Sequence, residues 1–157
     1  MTSEALTRRF VVDRPDTIAR YASVVFDGIR EIHRRTTPKY PASAVFHRFE
    51  SLCNRCAEWL FLAALDVEKG EKCAGWVVVI RMEDLMGMPL AFVEAGYVSP
   101  GYRSEPIQAL TSTVVAWARS LGCREIVTCT ERNTAAYARW VDVFGCQQGV
   151  TLFTRKL

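Results

Sequence analysis

A chain of 157 residues, 50% hydrophobic and 24% charged, is long enough to bury one sizeable core, and a single domain over 1–157 is expected. Its formal net charge of +3 comes from scattered Lys and Arg rather than from a run that would track a phosphate backbone, so no nucleic-acid partner is expected. No apolar stretch approaches the roughly 20 residues needed to cross a bilayer, and the opening MTSEALTRRF lacks the apolar segment of a secretory signal, so a cytoplasmic protein without membrane association is expected.

In chain order, residues 8–13 (RRFVVD) set a short apolar run between polar flanks and predict an opening strand. Ile18, Tyr21, Ala22, Val25, Ile29 and Ile32 then recur at the i, i+3, i+4 spacing of one helical face, which predicts a helix to about residue 34. Pro38 and Pro41 break that pattern. Ser43 is the expected cap of a second helix, with Phe46, Phe49, Leu52, Cys53 and Cys56 on its buried face.

WLFLAALDV (59–67), the turn EKGEK and CAGWVVVI (73–80) predict a β-hairpin, and LAFVEAGYV (90–98) predicts a third, antiparallel strand. After SPGYRSEP, the positions Ile107, Leu110, Val114, Trp117, Ala118 and Leu121 mark a helix capped by Ser104 and ended by Gly122. REIVTCT (124–130) follows through that helix and is expected to run parallel to 90–98. Asn133 caps a last helix with Tyr137, Trp140, Val141 and Phe144 on one face, and QGVTLFTRK closes the chain as a strand. The sum is an α/β (α+β) fold of order β-α-α-β-β-β-α-β-α-β, a mixed sheet of about six strands flanked by four helices.

Six cysteines are present in a chain too large and core-rich to need disulfide staples, which fits a reduced compartment. Cys53 and Cys56 form a C-x-x-C pair, but the run is helical in pattern and supplies no second pair or nearby histidine. No metal is expected. His33 and His47 likewise have no carboxylate or nucleophile at a telling spacing.

The loop from Ser99 to Ser104 delivers the chain to a helix start, where unpaired N–H groups and the positive end of the dipole suit an anion, with Arg103 beside them. Val98-Ser99-Pro100-Gly101-Tyr102-Arg103 resembles the V-x-P-x-x-R passage of the GNAT superfamily of N-acyltransferases, and Asn133-Thr134-Ala135-Ala136 is similar to its N-x-x-A helix start. The element order matches that family along nearly the full chain; the motifs cover about 50 residues.

The resemblance implies a bulged fourth strand that splays from the fifth, with the pantetheine arm of acetyl-CoA lying in the gap. Tyr97, Val98 and Ser99 are then the expected backbone contacts, near Cys129 and Thr130 across the slot. Two strands that part leave amides without sheet partners, and an amide-bearing arm satisfies them as a pseudo-strand. Arg103, Ser104, Ile107 and Gln108 are expected at the diphosphate, and Asn133 at the arm. The family's loop reads R/Q-x-x-G-x-G/A, whereas this chain has Arg103-Ser104-Glu105-Pro106-Ile107-Gln108. Proline has no N–H to donate, Gln108 adds bulk and Glu105 adds negative charge, so weakened CoA binding is expected.

Glu94 lies on an apolar strand where period-two alternation puts Phe92, Glu94, Gly96 and Val98 on one face. It is either aimed into the cleft as a general base or held in a salt bridge with a buried partner. Aligned from Asn133, the place of the family's acidic tyrosine falls on Trp140, whose indole cannot protonate a thiolate; Tyr137, one turn earlier, is the candidate acid. The loop with Arg34, Arg35, Lys39 and Tyr40 falls on the acceptor side. The expected function is acetyl transfer from acetyl-CoA to a primary amine on a small molecule or protein; the alternative is a GNAT-like binding or structural protein that has lost efficient CoA binding. The edge left at the carboxy-terminal end admits a homodimer.

Overall fold

The computed structural model describes residues 2–35 and 40–128. Five strands form one sheet in the order β1-β2-β3-β4-β5: β1 Phe10–Asp13, β2 Trp59–Asp66, β3 Lys72–Glu83, β4 Pro89–Val98 and β5 Glu125–Thr128. The first four are antiparallel neighbours, and β5 runs parallel to β4. Helices α1 Ser3–Arg9, α2 Ala22–Arg35, α3 Ala42–Arg55 and α4 Glu105–Ser120 pack around the sheet, with a 3-10 turn at Ile18–Tyr21 leading into α2. The mixed sheet and the β-α-β passage through α4 agree with the expected fold. The last helix from Asn133 and the closing strand lie outside the described residues.

The sheet separates two cores. On one face Leu60, Leu62, Ala74, Val77, Val79, Ala91 and Val93 meet Ile107, Leu110, Val114 and Ala118 of α4. On the other, Phe61, Ala63, Trp76, Val78 and Ala95 meet Val25 and Ile29 of α2 and Phe46 and Phe49 of α3. Every second residue of the continuous apolar run Trp76–Val79 goes to each face, which is why that run carries no polar position. Trp76 is fully buried, and its indole N–H donates to the Val24 carbonyl at 3.1 Å, so the largest core side chain leaves no orphan donor.

Three expectations are corrected. A short helix, α1, precedes β1; Thr2 Oγ1 accepts the Ala5 N–H at 3.3 Å and Glu4 pairs with Arg8 one turn on, a local closure that carries no apolar periodicity to read. Ser43 does not cap α3, which starts at Ala42 after Pro41, whose extended backbone sets the entry. The third concerns β4. Val78 pairs with Ala95 but Val79 pairs with Val93, so Glu94 is an extra residue bulged out of the ladder. Ala91 and Val93 therefore face α4, whereas Ala95 and Tyr97 face α2 and α3, and Val98 faces α4 again. Phe92, Glu94, Gly96 and Val98 do not share a face, because the bulge resets the alternation in the middle of the strand.

Candidate functional site

The functional passage begins where β4 leaves the sheet. Among the described residues β4 pairs with β5 from Leu90↔Glu125 to Val93↔Thr128. Cys129 and Thr130, the far side of the expected slot, lie outside the described residues. On the β3 side β4 stays attached through Val98↔Gly75, and beyond it the Ser99 N–H donates to the Ala74 carbonyl at 2.9 Å and the Ser99 hydroxyl to the Cys73 carbonyl at 3.2 Å. Ala74 is itself an extra residue, since Ala64 pairs with Gly75 and Leu65 with Cys73. Since Ser99 N–H points at β3, alternation along the strand turns the peptide groups of Val98 toward the β5 side. Of Tyr97, Val98 and Ser99, Val98 is the residue whose backbone is presented to that side.

The loop then turns through Pro100 and Gly101, whose φ of 89° is a left-handed value that favours glycine, and the Tyr102 N–H donates to the Ser99 carbonyl at 3.2 Å. Ser104 stands at the cap position of α4 as expected, but its backbone is helical and its side chain makes no capping bond. Instead Glu105 Oε2 accepts the Arg103 N–H at 3.0 Å, so the carboxylate of the first helical residue lies at the positive end of the helix. The Gln108 N–H, expected to reach a phosphate, donates to the Ser104 carbonyl at 3.0 Å, and Gln108 Nε2 lies 3.5 Å from Ser104 Oγ. What remains for an anion is the exposed Arg103 guanidinium, Ser104 Oγ and the first-turn N–H groups of Glu105 and Ile107.

Pro106 is buried, and the reason lies across the sheet. A Cβ built on Gly75 of β3 would lie 3.1 Å from Pro106 Cβ and 2.7 Å from the Tyr97 carbonyl oxygen. The bare backbone of Gly75 thus receives the proline ring, and the ring fixes the first turn of α4, where a missing N–H costs nothing in the helix.

The loop is also tied to β2 by a group that the sequence reading did not single out. Asp66, fully buried at the end of β2, accepts from Tyr102 Oη at 2.9 Å, from Arg9 Nη2 at 3.1 Å and from the Glu68 N–H at 3.1 Å. Burial pushes its carboxyl up, but the bonds from Arg9 and Tyr102, the Arg9 charge and the Glu68 N–H outweigh it and hold it below the ordinary carboxylate range. The Tyr102 hydroxyl is pushed up to about 12 by burial and by the hydrogen bond to Asp66. Lys69 Nζ sits 4.6 Å from the centroid of the Tyr102 ring. The available signal was an acid terminating a seven-residue apolar run, beside a tyrosine one position before Arg103.

Glu94 is exposed at the bulge and has no hydrogen-bond or ion-pair partner among the described residues. Tyr97 lies against α2, where Gly28 permits close approach: a Cβ there would come within 2.8 Å of Tyr97 Cβ and 2.4 Å of Trp76 Cζ2. Burial raises the Tyr97 hydroxyl, with Asp27 and Glu31 adding to the effect and Arg34 opposing it. Cys53 and Cys56 are free thiols, the former pushed up to about 12 by burial and then by its neighbour, and no group of three or more metal-binding side chains is gathered among the described residues. No helix among the described residues is long and apolar enough to cross a membrane. Tyr137 and Asn133 lie outside the described residues.

Solved structures with the same architecture include glucosamine-6-phosphate N-acetyltransferase from Arabidopsis thaliana, with a TM-score of 0.66 and 13% identity over 94% of this chain and 97% of that one. Aminoglycoside 6'-N-acetyltransferase AAC(6')-Ih from Acinetobacter baumannii gives a TM-score of 0.68 and 15% identity over 94% and 99%. Aminoglycoside N-acetyltransferase AAC(6')-Iy in complex with CoA gives 0.67 and 16% over 94% of each. At these identities the likeness is one of fold. No curated protein matches the chain in sequence. The acetyltransferase (GNAT) family matches residues 26–145, a span that takes in α3, the whole of β2 to β5, the bulge at Glu94 and the loop to α4, and the chain belongs to that family.

Proposed function

We propose that this protein transfers the acetyl group of acetyl-CoA to a primary amine. The observation that supports the reading is the bulge at Glu94 in β4, beyond which the Val98 peptide is turned toward the β5 side, one loop before the start of α4. The pantetheine arm adds to β4 through Val98, with Tyr97 and Ser99 holding that strand end to β3, and the diphosphate meets Arg103, Ser104 and Ile107, with Gln108 steadying Ser104. Asn133 is the further residue assigned to the arm, on its likeness to the family's N-x-x-A helix start.

Glu94, exposed at the bulge, accepts the proton of the incoming ammonium. The free amine attacks the thioester carbonyl, the C–N bond forms and the C–S bond breaks. The departing thiolate takes a proton from Tyr137, and the surplus proton on the new amide nitrogen passes to the tyrosinate, leaving the neutral amide and the thiol. Calorimetric titration of the chain with acetyl-CoA, followed by thiol release with a panel of amines and peptides, tests this reading. Saturable binding and amine-dependent thiol release are expected, and Glu94→Gln is expected to lower the rate by about 10²-fold with little change in donor affinity.

The second reading, a binding protein on the same scaffold, draws support from the Glu105 carboxylate on the Arg103 N–H. No heat and no melting shift at millimolar acetyl-CoA would favour it over acetyl transfer.

A further inference from the structure

We propose that Asp66 and Tyr102 are positioning residues that brace the donor's diphosphate loop, an inference that rests on the acetyl-CoA reading above. A carboxylate with no exposed surface is costly to bury, and one that merely filled space could be replaced by an apolar side chain without loss. Asp66 instead joins two segments far from it in sequence, Arg9 at the end of α1 and Tyr102 in the loop before α4, while also accepting the nearby Glu68 N–H. Nothing in the proposed chemistry uses it.

What the brace orients is the residue that follows. The loop is held at its start by Ser99 on the Cys73 and Ala74 carbonyls, and at its end by Tyr102 on Asp66. Arg103 and the first turn of α4 come next, and Pro106 seats that turn on Gly75. The ring of Tyr102 is itself fixed, edge-on to Phe10 at 6.0 Å and beneath Lys69. With a proline in the loop and the Gln108 N–H committed to the helix, few donors remain for the diphosphate, so their placement before binding governs affinity. The pantetheine arm adds to β4 at Val98, ahead of the loop, where Ser99 and not Tyr102 holds the strand end to β3, so it does not depend on this brace.

Tyr102→Phe keeps the ring and its packing and removes only the bond to Asp66, so the variant should fold with a Tm lowered by no more than the loss of one hydrogen bond. With acetyl-CoA as donor, KM should rise about tenfold with kcat unchanged. With S-acetylpantetheine, which lacks the diphosphate, the specificity constant should not move. Hydrogen exchange in the ligand-free variant should quicken over residues 99–105 and nowhere else. Asp66→Asn should act in the same direction. An unchanged acetyl-CoA KM in Tyr102→Phe overturns the inference, as does an equal loss with both donors, which would make Tyr102 a purely structural residue. Failure of the wild-type chain to bind CoA sinks the acetyl-transfer reading, and this inference with it.

Discussion

Glu105 serves the helix and opposes the ligand. Its carboxylate, accepting the Arg103 N–H at 3.0 Å, stabilises the amino terminus of α4 by about 0.3–1 kcal/mol through the helix dipole. The same negative charge stands where a diphosphate would collect its donors. Glu105→Gln is expected to tighten CoA binding about two- to fivefold while lowering Tm slightly, since the charge leaves and the side chain remains. Paired titration calorimetry and thermal melts of the two proteins measure both effects; weaker CoA binding by the variant would contradict this role. The sequence disclosed the charge at 105 and its threat to a phosphate. It did not disclose that the carboxylate folds back on Arg103, because that depends on the helical backbone of Ser104.

At the scale of elements, the two bulges decide what the sheet can offer. The extra residue Ala74 in β3 lies beside the Cys73 and Ala74 carbonyls that receive Ser99, and the extra residue Glu94 in β4 reverses the facing of the strand beyond it. Neither is visible in a run such as CAGWVVVI or LAFVEAGYV, because both continue to read as apolar on either side. In α2, Gly28 is poor for a helix yet required where α2 crosses Trp76 and Tyr97. Gly28→Ala is expected to destabilise the fold by about 1–3 kcal/mol despite better helix propensity, because the new methyl group meets Trp76 Cζ2 at 2.4 Å. Urea denaturation reads this directly, and a gain in stability would mean that α2 can shift away from the sheet.

For the molecule as a whole, Asp66 links the amino-terminal helix, the sheet and the functional loop. Its folded pKa lies below the unfolded value of about 3.9, so its stabilisation is fully present above about pH 4 and is lost as pH falls through the folded value. The Tm gap between wild type and Asp66→Asn should therefore be constant from neutrality down to about pH 5 and close as the pH drops further. A gap that persists unchanged into strong acid would show that Asp66 is not ionised in the fold. Tyr102, pushed up to about 12, stays protonated across this range and keeps its bond to Asp66.

From β1 to β5, the order of strands and main helices, the parallel turn through α4 and the loop before it were determined by the sequence alone. Apolar periodicity, Pro and Gly punctuation and the run from Val98 to Arg103 are local properties, and local sterics and burial enforce them. The bulge at Glu94, the proline seated on Gly75 and the tie from Tyr102 to Asp66 were decided only by tertiary structure. Each depends on the register between segments up to 36 residues apart, and register is set by how all the strands and helices pack together.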